Sequence, residues 1–233
     1  MWICIALIGL GAVGLVFYLL EKCRNYSLKG VLIKFVVSLL FVAVAGVSSY
    51  LNQGHIINPF ILIGLVLGLS GDLWLDLKYV YPKDDKLYTY AGFTVFGVGH
   101  ILFITGMFLE FFGQANPLYI ILPIVGAVVG GIANLLLAKP LKLDFGSLKI
   151  IVFVYSLMLF SLPLCALSLC ILHSFQSVPL IMLFVGGLLF AISDLVLSQT
   201  YFGKGHEKPL DFILNYLTYY SAQFVIAFSL FFL

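Results

Sequence analysis

The segment GGLLFAISDLVLSQ, residues 186–199, is almost wholly apolar, yet Asp194 stands near its middle beside Ser193. A second segment, GLVLGLSGDLWLDL at residues 64–77, sets Asp72 in the matching place. Apolar runs of this kind belong to helices that cross a bilayer, whose hydrocarbon core takes about 20 residues. A carboxylate at the bilayer centre costs roughly 3 kcal/mol on insertion scales, so it persists only with partners and a reason to be there.

The rest of the chain has the same character. Of 233 residues, 63% are hydrophobic and 9% charged, with a mean hydropathy of +1.16. Soluble domains carry roughly 25% charged residues, and too few polar side chains remain here to build a wetted surface. The composition implies an all-α polytopic membrane helix bundle forming a single transmembrane domain over residues 1–233. The net charge of +2 gathers into no basic patch, so nothing points to nucleic acid and none is expected as a partner. The four cysteines form no CxxC pair and read as small apolar residues. The opening MWICIALIGLGAVGLVFYLL lacks the basic start of a signal peptide and reads as the first membrane helix.

Eight transmembrane helices are predicted, at about 2–20, 31–51, 59–77, 89–110, 117–137, 148–171, 178–198 and 209–231. Stretches such as EKCRNYSLKG, LNQGHIIN, YPKDDK and FGKGHEK separate them. All twelve basic residues fall in or beside odd-numbered loops: Lys22, Arg24, Lys29 and Lys34; Lys78, Lys83 and Lys86; Lys139, Lys142 and Lys149; Lys204 and Lys208. The positive-inside rule then places those loops in the cytoplasm and both termini outside, in a cell membrane such as a bacterial inner membrane. At an offset of 122 residues Asp72 overlays Asp194, Gly64 overlays Gly186, and Leu67, Leu73 and Leu75 overlay Leu189, Leu195 and Leu197. The third and seventh helices run the same way, which fits a 4+4 parallel internal repeat about an axis along the membrane normal.

At about 1.5 Å per residue, Asp72 and Asp194 both lie roughly 20 Å along their helices from Pro59 and Pro179, in the cytoplasmic half. Asp76 follows Asp72 by one turn on the same face. His100 on the fourth helix, Tyr155 on the sixth, and Asn215, Tyr219 and Gln223 on the eighth, with Tyr216 and Tyr220 on the adjoining stripe, reach the same depth. Together they imply a polar chamber opening towards the cytoplasm. The structural alternative has Asp72 and Asp194 bonded to Ser70, Ser193 or a helix neighbour, Asp76 paired with Lys78, and His100 as a packing residue. His55, His173 and His206 read as surface residues. One histidine at membrane depth makes a catalytic zinc site a poor fit. No phosphate loop, Gly-x-Ser-x-Gly elbow or His-Glu-x-x-His pair is present, so the residues alone allow a transporter, a receptor or a hydrolase.

Six stretches in order resemble the YhhN family, whose animal members are lysoplasmalogenases. They are Lys34 at the start of the second helix, LGLSGD ending at Asp72, FTVFGVGHILFITGMF with His100, VFVYSLM with Tyr155, GGLLFAISDLVLS with Asp194, and YLTYYSAQFVIAFS. One departure is KFVVS at residues 34–38, where family members often continue to a proline. The resemblance implies hydrolysis of the vinyl-ether bond of 1-alkenyl lysophospholipids, drawn from the membrane lipids, to a fatty aldehyde and glycerophosphocholine or glycerophosphoethanolamine, with no cofactor and no metal. Protonating an enol ether at carbon gives an oxocarbenium-like cation that water attacks, so one protonated and one ionised carboxyl are needed, as in glycosidases. On this reading Asp72 and Asp194 are the catalytic pair, in either order. Tyr155, Tyr219, Tyr220 and Gln223, with Asp76, position water and the glycerol oxygens. His100 bonds to a carboxylate, and Lys34 meets the lipid phosphate. The runner-up is a proton-coupled lipid or small-solute transporter using the same carboxylates; a lysolipid sensor is third.

Overall fold

Eight apolar stretches punctuated by short polar turns fold, in the computed structural model, into eight long helices: α1 Trp2–Lys22, α2 Leu28–Leu51, α3 Ile57–Val80, α4 Asp85–Phe111, α5 Leu118–Leu137, α6 Lys149–Leu172, α7 Val178–Phe202 and α8 Pro209–Ser229. Residues 1–24, 27–203 and 209–233 are described. Lys204, His206 and Lys208 lie outside them.

Local chemistry sets several of the ends. The Ser27 hydroxyl caps α2 by accepting from the Gly30 amide at 3.2 Å. The Asn52 amide closes its far end, donating to the Leu230 and Phe231 carbonyls at 3.0 and 2.7 Å, which ties α2 to the C-terminal turn. Gly54 takes φ +95°, a conformation that suits the turn into α3 only without a side chain. Four helices overrun their predicted spans by three or four residues, at the start of α2, the end of α3, the start of α4 and the end of α7. All four extensions lie on the face that carries the basic loops.

Seven of the eight helices are long and apolar enough to cross a membrane, which makes this an integral membrane protein. The exception is α8, also of 21 residues, whose apolarity is diluted by Asn215, Tyr219 and Gln223. Those three are buried at 4%, 5% and 1% exposure, so the polar stripe faces the bundle and not the lipid. A helix that looks least like a membrane span from composition is the one whose polar face lines the interior.

Six helices close a ring in the order α2, α3, α4, α6, α7, α8 and back to α2; α1 packs outside it mainly on α2, and α5 on α6. The two outer helices are accordingly the least buried of the apolar seven. The neighbours repeat: α1–α2, α2–α3, α3–α4 and α4–α6 recur as α5–α6, α6–α7, α7–α8 and α8–α2. Asp72 and Asp194 each stand eight residues before the end of their helices. Gly64 brings α3 against the Gly99 carbonyl and Phe103 ring of α4, and Gly186 brings α7 against the Ala222 carbonyl and Ile226 of α8. Small residues at such crossings let backbones approach closely in a membrane, where packing replaces the hydrophobic effect. The helix contacts thus recur at a spacing of four helices, the pattern that a 4+4 repeat would give.

The segregation of charge predicts an orientation that can be tested. With the odd loops in the cytoplasm, a reporter fused after Lys86 is expected to signal from the cytoplasm and one fused after Leu233 from the opposite side. Signals from one compartment would contradict the topology.

Candidate active site

Three pairs of polar residues, each one helical turn apart, meet inside one end of the ring: Tyr18 and Lys22 on α1, Lys34 and Ser38 on α2, Asp72 and Asp76 on α3. Residues at i and i+4 share a helix face, so two adjacent contacts form wherever two such faces oppose. Asp76 accepts from the Tyr18 hydroxyl at 2.8 Å, the Lys22 ammonium at 2.8 Å and the Tyr216 hydroxyl at 3.4 Å. Lys34 reaches both carboxylates, at 3.2 Å from Asp72 and 3.5 Å from Asp76. Two cations therefore balance two carboxylates in a cluster where all four side chains are at most 4% exposed. Buried ions are tolerated only when paired and hydrogen-bonded in this way.

Asp72 has three donors. Besides Lys34 it accepts from the Ser38 hydroxyl at 2.6 Å and the Tyr219 hydroxyl at 2.9 Å. Both hydroxyls are themselves held: Ser38 lies 3.0 Å from the Tyr220 hydroxyl, and Tyr219 accepts from the Gln223 amide at 2.8 Å. The α8 stripe thus supports Asp72 through two short relays. Ser70 is not involved, since its hydroxyl donates to the Val66 carbonyl.

Asp194 is in a different position. It is half-buried, and its hydrogen-bond partner is the Tyr155 hydroxyl of α6. No lysine, arginine or histidine forms an ion pair with it among the described residues. Ser193 serves α8 instead, accepting from the Asn215 amide through its hydroxyl at 3.1 Å and its carbonyl at 2.8 Å. Tyr155 is fixed by stacking on Phe93, ring centroids 4.9 Å apart at 7°.

Asp72 and Asp194 line one cavity with about 20 Å³ of water-accessible space, room for roughly one water molecule. Each of the six ring helices contributes to its wall, among them Lys34, Asp72, Phe93, Tyr155, Asp194 and Tyr219. The two carboxyls do face a common space, one fully neutralised and one not.

Several expected contacts are different in the structure. Among the described residues His100 touches no carboxylate: its Nδ1 lies 2.9 Å from the Phe96 carbonyl, one turn back on its own helix, and its ring packs edge-on to Phe190 at 4.6 Å and Tyr155 at 6.1 Å. It braces the wall behind Tyr155. Asp76 pairs with Lys22 and Lys34, not with Lys78. Lys34, expected at the lipid phosphate, is 3% exposed with its ammonium between two carboxylates. Tyr220 and Gln223 stand one bond behind Asp72 and not on it. Tyr18, Lys22 and Ser38 were not anticipated; the signal that would have found them is the repeated i, i+4 spacing of polar residues on α1, α2 and α3. His55 pairs with Glu110 at 2.7 Å at the opposite end of the bundle, where both are partly exposed.

A closed ring of apolar helices around a cavity lined by two carboxyls defines a polytopic membrane protein with a polar interior. The YhhN family model matches residues 29–230, and the chain belongs to the YhhN family. That match spans α2 to α8, so Tyr18 and Lys22, which hold Asp76 from α1, precede it. No curated protein and no solved structure matches the chain.

Proposed function

We propose that the protein hydrolyses the vinyl-ether bond of 1-alkenyl lysophospholipids, releasing a fatty aldehyde and a glycerophospho-alcohol such as glycerophosphocholine or glycerophosphoethanolamine. Membership of the YhhN family supports the substrate class. The observation that carries the chemistry is the unequal treatment of two carboxyls on one cavity. Asp72 receives a lysine and two hydroxyls; Asp194 receives one hydroxyl and, among the described residues, no cation. An ionised carboxylate is stable in the first setting, and a neutral carboxylic acid suits the second.

The reaction then balances as follows. Asp194 delivers its proton to the vinyl carbon remote from oxygen, leaving an oxocarbenium ion. Asp72 faces that cation, stabilises it and removes a proton from the attacking water, so that a hemiacetal forms. Asp72 next returns its proton to the departing glycerol oxygen while Asp194 takes the hemiacetal hydroxyl proton. The C–O bond breaks, aldehyde and alcohol leave, and both carboxyls regain their starting states. Tyr155 and Tyr219 hold the two carboxyls in place throughout.

The packing repeat and intramembrane ion pairs also suit a proton-coupled transporter. The two readings separate without a membrane: detergent-solubilised pure protein is expected to release aldehyde from 1-alkenyl lysophosphatidylcholine or lysophosphatidylethanolamine with no gradient present. Binding of that lipid with no aldehyde released would favour transport or sensing instead.

A further inference from the structure

Asp194 is the meeting point of two cavities. One is the space it shares with Asp72; the other, with about 40 Å³ of water-accessible room, lies between α5, α6 and α7. Tyr155, Tyr201, Phe93 and Leu197 form walls of both. The outer part of the second cavity includes Leu159, Phe160, Leu195 and Ser198. Leu195 is 43% exposed, and at this depth the outside of the bundle is lipid. The polar groups of this cavity are already engaged: the Asn134 amide donates to the Ser156 hydroxyl at 2.8 Å, and Ser156 donates to the Val152 carbonyl at 2.7 Å. A seam that offers hydrocarbon contact and few unmet hydrogen bonds, and that ends at a half-buried carboxyl, fits an alkyl chain better than a polar solute.

Against Tyr201, which lines that seam, stands Lys78 of α3. Its ammonium lies over the Tyr201 ring, 3.2 Å from the centroid. Lys22 and Lys34 are both in salt bridges, whereas Lys78 forms none among the described residues. Asp194 and Tyr201 are two turns apart on α7, roughly 10 Å along the axis. A glycerol unit linking an ether oxygen to a phosphate, with a charge-assisted contact of about 3 Å added, covers that distance.

Resting on the vinyl-ether reading above, we propose that a single-chain lysophospholipid enters sideways between α6 and α7, its chain in that seam, its ether beside Asp194 and its phosphate on Lys78. The reacting bond then sits where chain and headgroup meet, and the rest of the chain stays in the bilayer. No wide internal chamber is required.

The test uses saturated 1-alkyl analogues, which bind without being hydrolysed: 1-alkyl lysophosphatidylcholine and the neutral 1-alkylglycerol, each titrated into purified protein in detergent. Lys78→Gln is expected to weaken binding of the phosphate-bearing analogue by on the order of tenfold and leave the neutral one unchanged. Lys86→Gln, an exposed lysine on the same face, is expected to change neither. A photoreactive group in the chain should label α6 and α7 near Phe160 and Leu195. Equal weakening of both analogues, no weakening of either, or labelling confined to other helices would overturn the proposal. Because no turnover is measured, the outcomes separate: Lys78-dependent binding without aldehyde release from the alkenyl lipid would refute the hydrolase and leave the lysolipid site standing.

Discussion

Asp194→Asn is expected to lower aldehyde release by about 10²- to 10⁴-fold, the usual worth of a positioned general acid. The amide keeps the size of the side chain, and its carbonyl still accepts from Tyr155, so fold and substrate binding should persist. What it lacks is a proton acidic enough to transfer to carbon. The loss should therefore appear in kcat with KM little changed. Asp72→Asn should be comparably slow for another reason, since it removes the carboxylate facing the cation and leaves the Lys34 ammonium pointing at a neutral group. Measured rates of aldehyde release, with folded protein matched by size-exclusion profile, decide the matter. Near-wild-type turnover in both variants would make the aspartates structural.

Lys34→Met is expected to cost stability as well as activity. Its ammonium is shared by Asp72 and Asp76, each at most 4% exposed, and removing it leaves the cluster with two carboxylates and one cation. Breaking a buried pair by deleting one partner typically costs 3–5 kcal/mol, or a fall in melting temperature on the order of 10 °C. The penalty comes from the orphaned charge, so neutralising it should relieve the loss. Lys34→Met combined with Asp72→Asn should melt above Lys34→Met alone, although it remains inactive. A headgroup-binding lysine would behave otherwise, raising KM with an unchanged melt. Thermal melts of the two variants in detergent distinguish these cases.

How far the sequence can be read here depends on which physical signal each residue carries. The eight helices are legible because apolar length and the segregation of lysines both report on the bilayer. Asp72, Asp194, Tyr155 and Tyr219 are legible because a polar group deep in an apolar helix must turn inward, and six inward faces share one space. The pairing of those groups is not. Lys34 and Lys22 stand near helix ends, where lysines ordinarily extend to the headgroups; burial on Asp76 depends on α2 packing against α3 with α1 beside α2, which no local pattern reveals. His100 misleads for the opposite reason, because the nearby Phe96 carbonyl offers its ring a partner on its own helix. Lys78, close to Asp76 in sequence, forms no salt bridge with it among the described residues and ends on an aromatic ring of α7.

The most direct test of the account is to run the purified protein on 1-alkenyl lysolipid in D₂O and trap the aldehyde at once by reduction. Proton transfer to the vinyl carbon is the step assigned to Asp194, and a solvent-derived hydron must end there. The prediction is one deuterium on the carbon next to the former aldehyde carbon in the wild type, with product formation nearly lost in Asp194→Asn. Aldehyde without that deuterium, or no aldehyde from the wild type, would contradict it.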